Sequence, residues 1–378
     1  MRFHITAALS GLLALSACMT SMPHDRDSQL VSSDHYVPVK STAPAMAGEE
    51  AEIYVREVAL ASVPDGAKRN GVVLFVHGAG TPAEVSFDVR YKDYSWMGYI
   101  ARAGYDVFSM DMTGYGRSTR PKPMADPCNF PRAQQAQFVP GRIAASCAPS
   151  HPGPMTTMSS DWNDIDAVVN HLRNVRGVDQ VSIVAWSQGG PRAGGYAVLH
   201  PEKVKRLVVL APAYARDSAL IAPNPLPVGD GSMSAQSQAD FVANWDRQVG
   251  CPKQYEPAAS AAIWSDMIAS DPVGATWGKG VRRAPTVPTW GFNRAAVARI
   301  QTPFLMVTGA HDKQVAPERV HQLYEDVGSS QKVLIDLACS SHNAMWETNR
   351  HLLYQASLEW IRDGTVHGMT QGMLKLGD

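Results

Sequence analysis

The chain has 378 residues, enough for two ordinary domains or one large domain carrying insertions. Hydrophobic residues make up 45% and charged residues 18%, which supplies a packed core and excludes a disordered, collagenous or coiled-coil chain. Lys plus Arg number 34 against 35 for Asp plus Glu, and a net charge of −1 offers no broad basic field for nucleic acid.

Arg2 precedes an apolar run, Ala7 to Leu15, that is too short to span a bilayer. The run closes on Leu15-Ser16-Ala17-Cys18, an aliphatic residue and two small ones before a cysteine, and it resembles a bacterial lipoprotein signal. The resemblance implies removal of residues 1–17, a lipid on Cys18 and a periplasm-facing protein held to a membrane by that anchor. Met19 stands where an Asp would favour inner-membrane retention, so the outer membrane is preferred. Residues 18–48 are rich in Ser, Pro, Asp and Ala and are expected to form a flexible tether. The other four cysteines, Cys128, Cys147, Cys251 and Cys339, would meet an oxidising compartment. Four cysteines allow three pairings; proximity favours Cys128–Cys147, which leaves Cys251–Cys339.

From residue 49 to 363, short apolar runs alternate with helical patterns, the pattern of an α/β fold with a mostly parallel sheet flanked by helices. The predicted strands are Val72–Val76, Asp106–Met110, Val181–Ala185, Leu207–Leu210, Phe304–Thr308 and Lys332–Ile335. Ile165, Val168, Val169 and Leu172 predict a helix over Asp161–Arg173, capped by Ser159 or Ser160. Residues 119–158 and 212–298 break the alternation and read as two insertions that together form a lid. Residues 364–378 are expected to be a short frayed tail.

The most informative segment is Val181-Ser-Ile-Val-Ala185-Trp186-Ser187-Gln188-Gly189-Gly190, a buried strand running into a serine, two glycines and a helical pattern. A serine at such a turn projects its hydroxyl above the sheet, beside a helix N-terminus that favours negative charge. The segment resembles the nucleophile elbow of the α/β-hydrolase family, G-x-S-x-G, with Ala185 replacing the first glycine. Four further motifs follow the family's chain order. Phe75-Val-His77-Gly78-Ala79-Gly80 resembles its oxyanion loop, and Asp111-Met-Thr-Gly114-Tyr-Gly116-Arg117-Ser118 its turn after the next strand. Asp312 and His342 then complete the order Ser…Asp…His. The resemblance spans a little under half of the chain.

It implies that Ser187 is the nucleophile, His342 the base that takes its proton, and Asp312 the acid that fixes the imidazole tautomer. Backbone N–H groups of Gln188 and of Ala79 or Thr81 would hold the oxyanion. Asp336 and Glu325 are rivals of Asp312, while His77, Asp111 and Arg117 are expected to order loops. A serine at the elbow excludes the aspartate chemistry of the family's dehalogenases and epoxide hydrolases. No HExxH or GxxxxGK[ST] occurs, so no metal or nucleotide cofactor is expected.

Trp264, Trp277 and Trp290 lie in the second insertion, and Trp186 and Trp346 are close to triad members. At least half of the insertion's aromatic and apolar residues are expected to pack a small core of the lid itself, and the others, extended by Trp186 and Trp346, to wall an aromatic groove for a small-molecule or polymeric substrate. The layout, the signal at Cys18 and the Ser-Gln-Gly elbow are similar to those of oxidised polyvinyl alcohol hydrolases, which implies carbon–carbon cleavage of β-diketones. The same triad would serve a carboxylesterase or lipase-like enzyme. A binding lipoprotein that keeps the fold without catalysis is the reading of another class. Oligomeric state has no signature in the sequence.

Overall fold

The computed structural model describes residues 29–63, 69–219, 231–287 and 292–377. The expected signal, Cys18 and Trp290 lie outside the described residues. Among the described residues eleven strands run in chain order: β1 (Leu30–Lys40), β2 (Glu50–Leu60), β3 (Val72–Val76), β4 (Asp106–Met110), β5 (Val181–Trp186), β6 (Val204–Leu210), β7 (Met233–Gln236), β8 (Arg282–Pro285), β9 (Phe304–Gly309), β10 (Lys332–Leu337) and β11 (Gln371–Leu376). Nine form one sheet in the order β1-β2-β4-β3-β5-β6-β9-β10-β11, and β7 pairs with β8 separately. Within the nine-stranded sheet the β1–β2 and β2–β4 pairs are antiparallel and the remaining neighbours parallel, while β7 and β8 pair antiparallel.

The parallel strands are buried on both faces, so they read in sequence as continuous apolar runs. Alternate residues serve opposite layers. Val73 and Phe75 of β3, with Val184 and Trp186 of β5, pack against the helices Trp96–Arg102 and Arg350–Asp363. Val72, Leu74 and Val76, with Ile183 and Ala185, face the helices Met158–Arg176 and Gly189–Leu199.

Three sequence expectations change. The tether expected up to residue 48 gives way at Leu30 to an eleven-residue edge strand, β1. Most of β1 is exposed, so its sequence lacks the apolar face that marks a strand. The expected frayed tail contains β11, which extends the sheet beyond β10. The long helix starts at Met158, with Thr157 as its cap and Ser160 returning the bond in a capping box.

Both inserted stretches contribute to one small cluster, with Met124, Phe130, Phe138 and Met155 from the first and Met233, Trp277 and Val281 from the second. The disulfides Cys128–Cys147 and Cys251–Cys339 have Cα separations of 5.3 and 5.7 Å. The second ties the larger insertion to the loop that carries His342.

Candidate active site

The site lies beyond the C-terminal ends of β3, β5, β9 and β10, where the connections of a parallel sheet leave room for loops. Ser187 follows β5 directly and adopts φ 58°, a left-handed conformation that costs a non-glycine residue on the order of 1 kcal/mol or more. Local bonds hold it there. Its N–H donates to Leu210 at 2.8 Å, and its carbonyl accepts from Gly190 at 2.9 Å and Ala213 at 3.0 Å. A Cβ at Gly78 would stand 2.9 Å from the Ser187 Cβ, so the glycine lets the β3 loop touch the nucleophile.

His342 Nε2 lies 2.9 Å from Ser187 Oγ, and His342 Nδ1 lies 2.8 Å from Asp312 Oδ2. The other Asp312 oxygen accepts from the N–H groups of Gln314 and Val315 at 2.7 and 2.8 Å, which fixes the carboxylate. Asp312 and His342 are buried. Asp336 bonds His321 and Glu325 bonds Arg216, so both rivals are engaged elsewhere.

Residues 71–348 match the family described as alpha/beta hydrolase fold. The chain belongs to the alpha/beta hydrolase family. Solved structures with a similar fold include a thermophilic esterase from Thermogutta terrifontis, 16% identical over 87% of this chain and 98% of that one, with a TM-score of 0.51. A serine hydrolase from the polyaromatic hydrocarbon-degrading bacterium Cycloclasticus zankles is 13% identical over 88% and 99%, with a TM-score of 0.50. A meta-cleavage product hydrolase from Pseudomonas fluorescens is 13% identical over 87% and 98%, with a TM-score of 0.51. At these identities the likeness is one of fold. No curated protein matches the chain.

This alpha/beta hydrolase accommodates Ala185 at the elbow because Gly189 faces it. A Cβ at Gly189 would come within 3.0 Å of the Ala185 methyl and 2.6 Å of the Val76 carbonyl. The Gln188, Ala79 and Thr81 N–H groups all donate to no acceptor of the chain among the described residues. Thr81 is buried, whereas Ala79 is exposed.

Among the described residues, Trp186, Trp264, Trp277 and Trp346 do not line an open groove. Trp186 is 5% exposed and its Nε1 donates to the His342 carbonyl at 2.8 Å. Trp346 is 1% exposed and packs edge-on to Trp186 at 5.4 Å, with Trp245 and Phe241 behind it. Trp264 packs at a tilt against Phe241, and Trp277 fills the lid cluster against Phe130 and Phe138. Large aromatic area is most strongly stabilised by burial, and here burial takes the rings into cores. Trp186 and Trp346 buttress the histidine loop.

Sequence reasoning missed two buried charges behind the site. Arg192, on the helix after the elbow, donates Nε to Asp161 at 2.6 Å and Nη1 to the carbonyls of both His77 and Gly78 at 2.9 Å. One side chain thereby clamps the loop against the nucleophile. His77 Nε2 accepts from the Met112 N–H at 3.1 Å, so the ring proton sits on Nδ1 and donates to the Gly78 carbonyl. Burial and the Arg192 cation hold His77 well below the usual histidine pKa. Glu347 accepts from Ser341 N–H, Ser341 Oγ, Trp245 Nε1 and Gln254 Nε2, which fixes the residue preceding His342. No local signal marks either residue, because Asp161, His77 and Gly78 lie far from Arg192 in sequence, as Trp245 and Gln254 do from Glu347.

Asp111 accepts from the Ala83 and Arg117 N–H groups, and Asp164 accepts from Thr113 at 2.9 Å, so both order the turn after β4. Burial pushes Asp164 up from 3.8 to about 7. Between those values the folded chain holds a proton that the unfolded chain has lost. Stability therefore falls as pH rises from about 4 to about 7, by at most roughly 1.4 kcal/mol per pH unit. Asp164→Asn should remove that slope. Urea unfolding at several pH values should show the variant gaining on the parent up to about pH 7 and holding level above it. A constant difference across the range would refute the assignment.

Proposed function

We propose that this alpha/beta hydrolase is a serine hydrolase acting through an acyl-enzyme, and that it cleaves β-diketones such as those of oxidised polyvinyl alcohol. The observation that carries the serine-hydrolase reading is the hydrogen-bonded line from Asp312 through His342 to Ser187. The β-diketone reading is supported by the layout of signal, elbow and lid in the sequence.

Ser187 Oγ attacks one carbonyl carbon while His342 Nε2 takes its proton, and Asp312 stabilises the imidazolium. The N–H groups of Gln188 and Ala79 receive the oxyanion, since the loop approaches Ser187 at Gly78, next to Ala79. Collapse of the tetrahedral intermediate breaks the bond to the methylene carbon, and the electron pair leaves as an enolate. His342 then protonates that carbon to give a methyl ketone. Water, deprotonated by His342, attacks the acyl-enzyme and releases a carboxylate.

We further propose that the mature protein is a periplasm-facing lipoprotein anchored through Cys18. The Leu15-Ser16-Ala17-Cys18 signal supports this, as does the pairing of the four remaining cysteines in two disulfides.

The deciding experiment compares kcat/KM on an aliphatic β-diketone with that on a p-nitrophenyl ester of matched chain length, with Ser187→Ala as control. Serine-dependent release of a carboxylate and a methyl ketone is the expected result. Ester turnover with an untouched diketone would refute the substrate assignment and leave a carboxylesterase.

A further inference from the structure

Arg282 opens β8 of the lid, opposite Gln236 of β7. Among the described residues, its Nε and Nη2 reach only the neutral Gln236 side-chain oxygen, at 3.2 and 3.1 Å. Its Nη1 is buried without a hydrogen-bond partner. Among the described residues no carboxylate comes within ion-pair distance of it. The adjacent Arg283 differs: it grips Asp271 through Nε and Nη2 at 3.0 and 2.7 Å. Asp271 acts on the half-buried Arg282 only from beyond ion-pair distance; a cation withdrawn from water without a carboxylate in contact is costly, and such groups concentrate where a ligand completes them. Burial holds Arg282 down at about 10, against the ordinary 12.5.

The position of Arg282 indicates which ligand. Gly80 adopts φ +82°, and a Cβ there would lie 2.2 Å from Arg282 Nη2, 2.5 Å from Cζ and 2.6 Å from Nη1. The guanidinium therefore rests on the loop whose Gly78 touches Ser187. Five residues further on, the Val287 carbonyl accepts from the Gln188 side chain. One lid segment thus spans both arms of the oxyanion pocket, with a cation at the Gly80 end that no carboxylate pairs among the described residues.

We propose that the Arg282 guanidinium binds the second carbonyl oxygen of the β-diketone and stabilises the enolate formed as the carbon–carbon bond breaks. This rests on the β-diketone reading above. The Gln188 and Ala79 N–H groups serve the first carbonyl oxygen. When the bond between that carbon and the methylene breaks, its electron pair delocalises onto the second oxygen, which takes the negative charge beside Arg282. His342 returns the proton to carbon, and the ketone that results is neutral. An ester leaving group carries its charge on the alkoxide, which His342 protonates directly, so ester cleavage needs no second charge. Arg282 thereby supplies what the triad lacks, a group that distinguishes the two reactions.

The test uses the mature full-length chain, its Arg282→Met variant and, should that variant not fold, Arg282→Gln. Labelling of Ser187 by a fluorophosphonate reports a folded site. Two quantities are measured: the ratio of kcat/KM for diketone to that for the matched p-nitrophenyl ester, and the Ki of the diketone as an inhibitor of ester hydrolysis. The ratio should fall roughly 100-fold in the variant. If the parent does not cleave the diketone but is inhibited by it, a Ki weakened by roughly tenfold or more in the variant supports the Arg282 site while the hydrolase reading fails. A parent that cleaves the diketone, with a ratio unchanged within about threefold in the variant, overturns the role of Arg282 and leaves the hydrolase reading intact. A diketone neither cleaved nor bound overturns both.

Discussion

Ser187→Ala should lower kcat on a p-nitrophenyl ester by about a million-fold without unfolding the chain. The substitution removes the atom that His342 Nε2 meets at 2.9 Å and leaves the elbow's backbone bonds in place. Alanine also keeps the Cβ that packs against Gly78, so the loop has no reason to move. The companion variant Asp312→Asn should cost roughly 10⁴-fold, because an amide in place of the carboxylate no longer holds the imidazole proton on Nδ1. An asparagine oxygen can still accept from the Gln314 and Val315 N–H groups, so the fold should survive. Combining the two should cost little more than Ser187→Ala alone, since the three residues act as one device. Active-site titration with a fluorophosphonate and kcat measurement check all three variants. Turnover retained in any of them would refute the triad.

Arg192→Met should destabilise the protein by about 3–5 kcal/mol, the usual consequence of removing one partner from a buried ion pair. Arg192 is fully buried, and its methylenes are closely replaced by methionine, so the loss is mainly one of charge and hydrogen bonds. Asp161 would remain buried with no cation beside it, in a place where burial already pushes its carboxyl upward. The carbonyls of His77 and Gly78 would lose their donor as well. Asp161→Asn added to Arg192→Met should therefore recover part of the loss, measured as a double-mutant cycle by urea unfolding. Turnover should fall in both variants, because the clamp on the oxyanion loop is gone in each. Equal stability of the single and double variants would mean that the pair is not coupled.

The sequence by itself determined the central strands and the identity of the three residues beyond them. The strands β3, β4, β5, β6, β9 and β10 are local apolar runs, and a strand wholly inside a sheet needs no distant information to be recognised. The elbow is similarly local, since the tight turn at Ser187 demands small neighbours at 185 and 189. Chain order then pointed to Asp312 and His342, each a few residues beyond a strand. The edges of the sheet were not legible, because most of β1 is exposed and β11 has no buried residue, so their residues need not be apolar.

Tertiary structure alone decided the remainder of the site. A tryptophan near a catalytic residue in sequence has the same composition whether it walls a groove or supports a loop; only packing sends Trp186 and Trp346 behind His342. The same holds for charges. Nothing adjacent to Arg192, Glu347 or Arg282 distinguishes a loop clamp, a carboxylate with four donors and an unpaired guanidinium on Gly80. A charge acquires its role from what surrounds it once water is removed, and that surrounding is assembled from segments far apart in the chain.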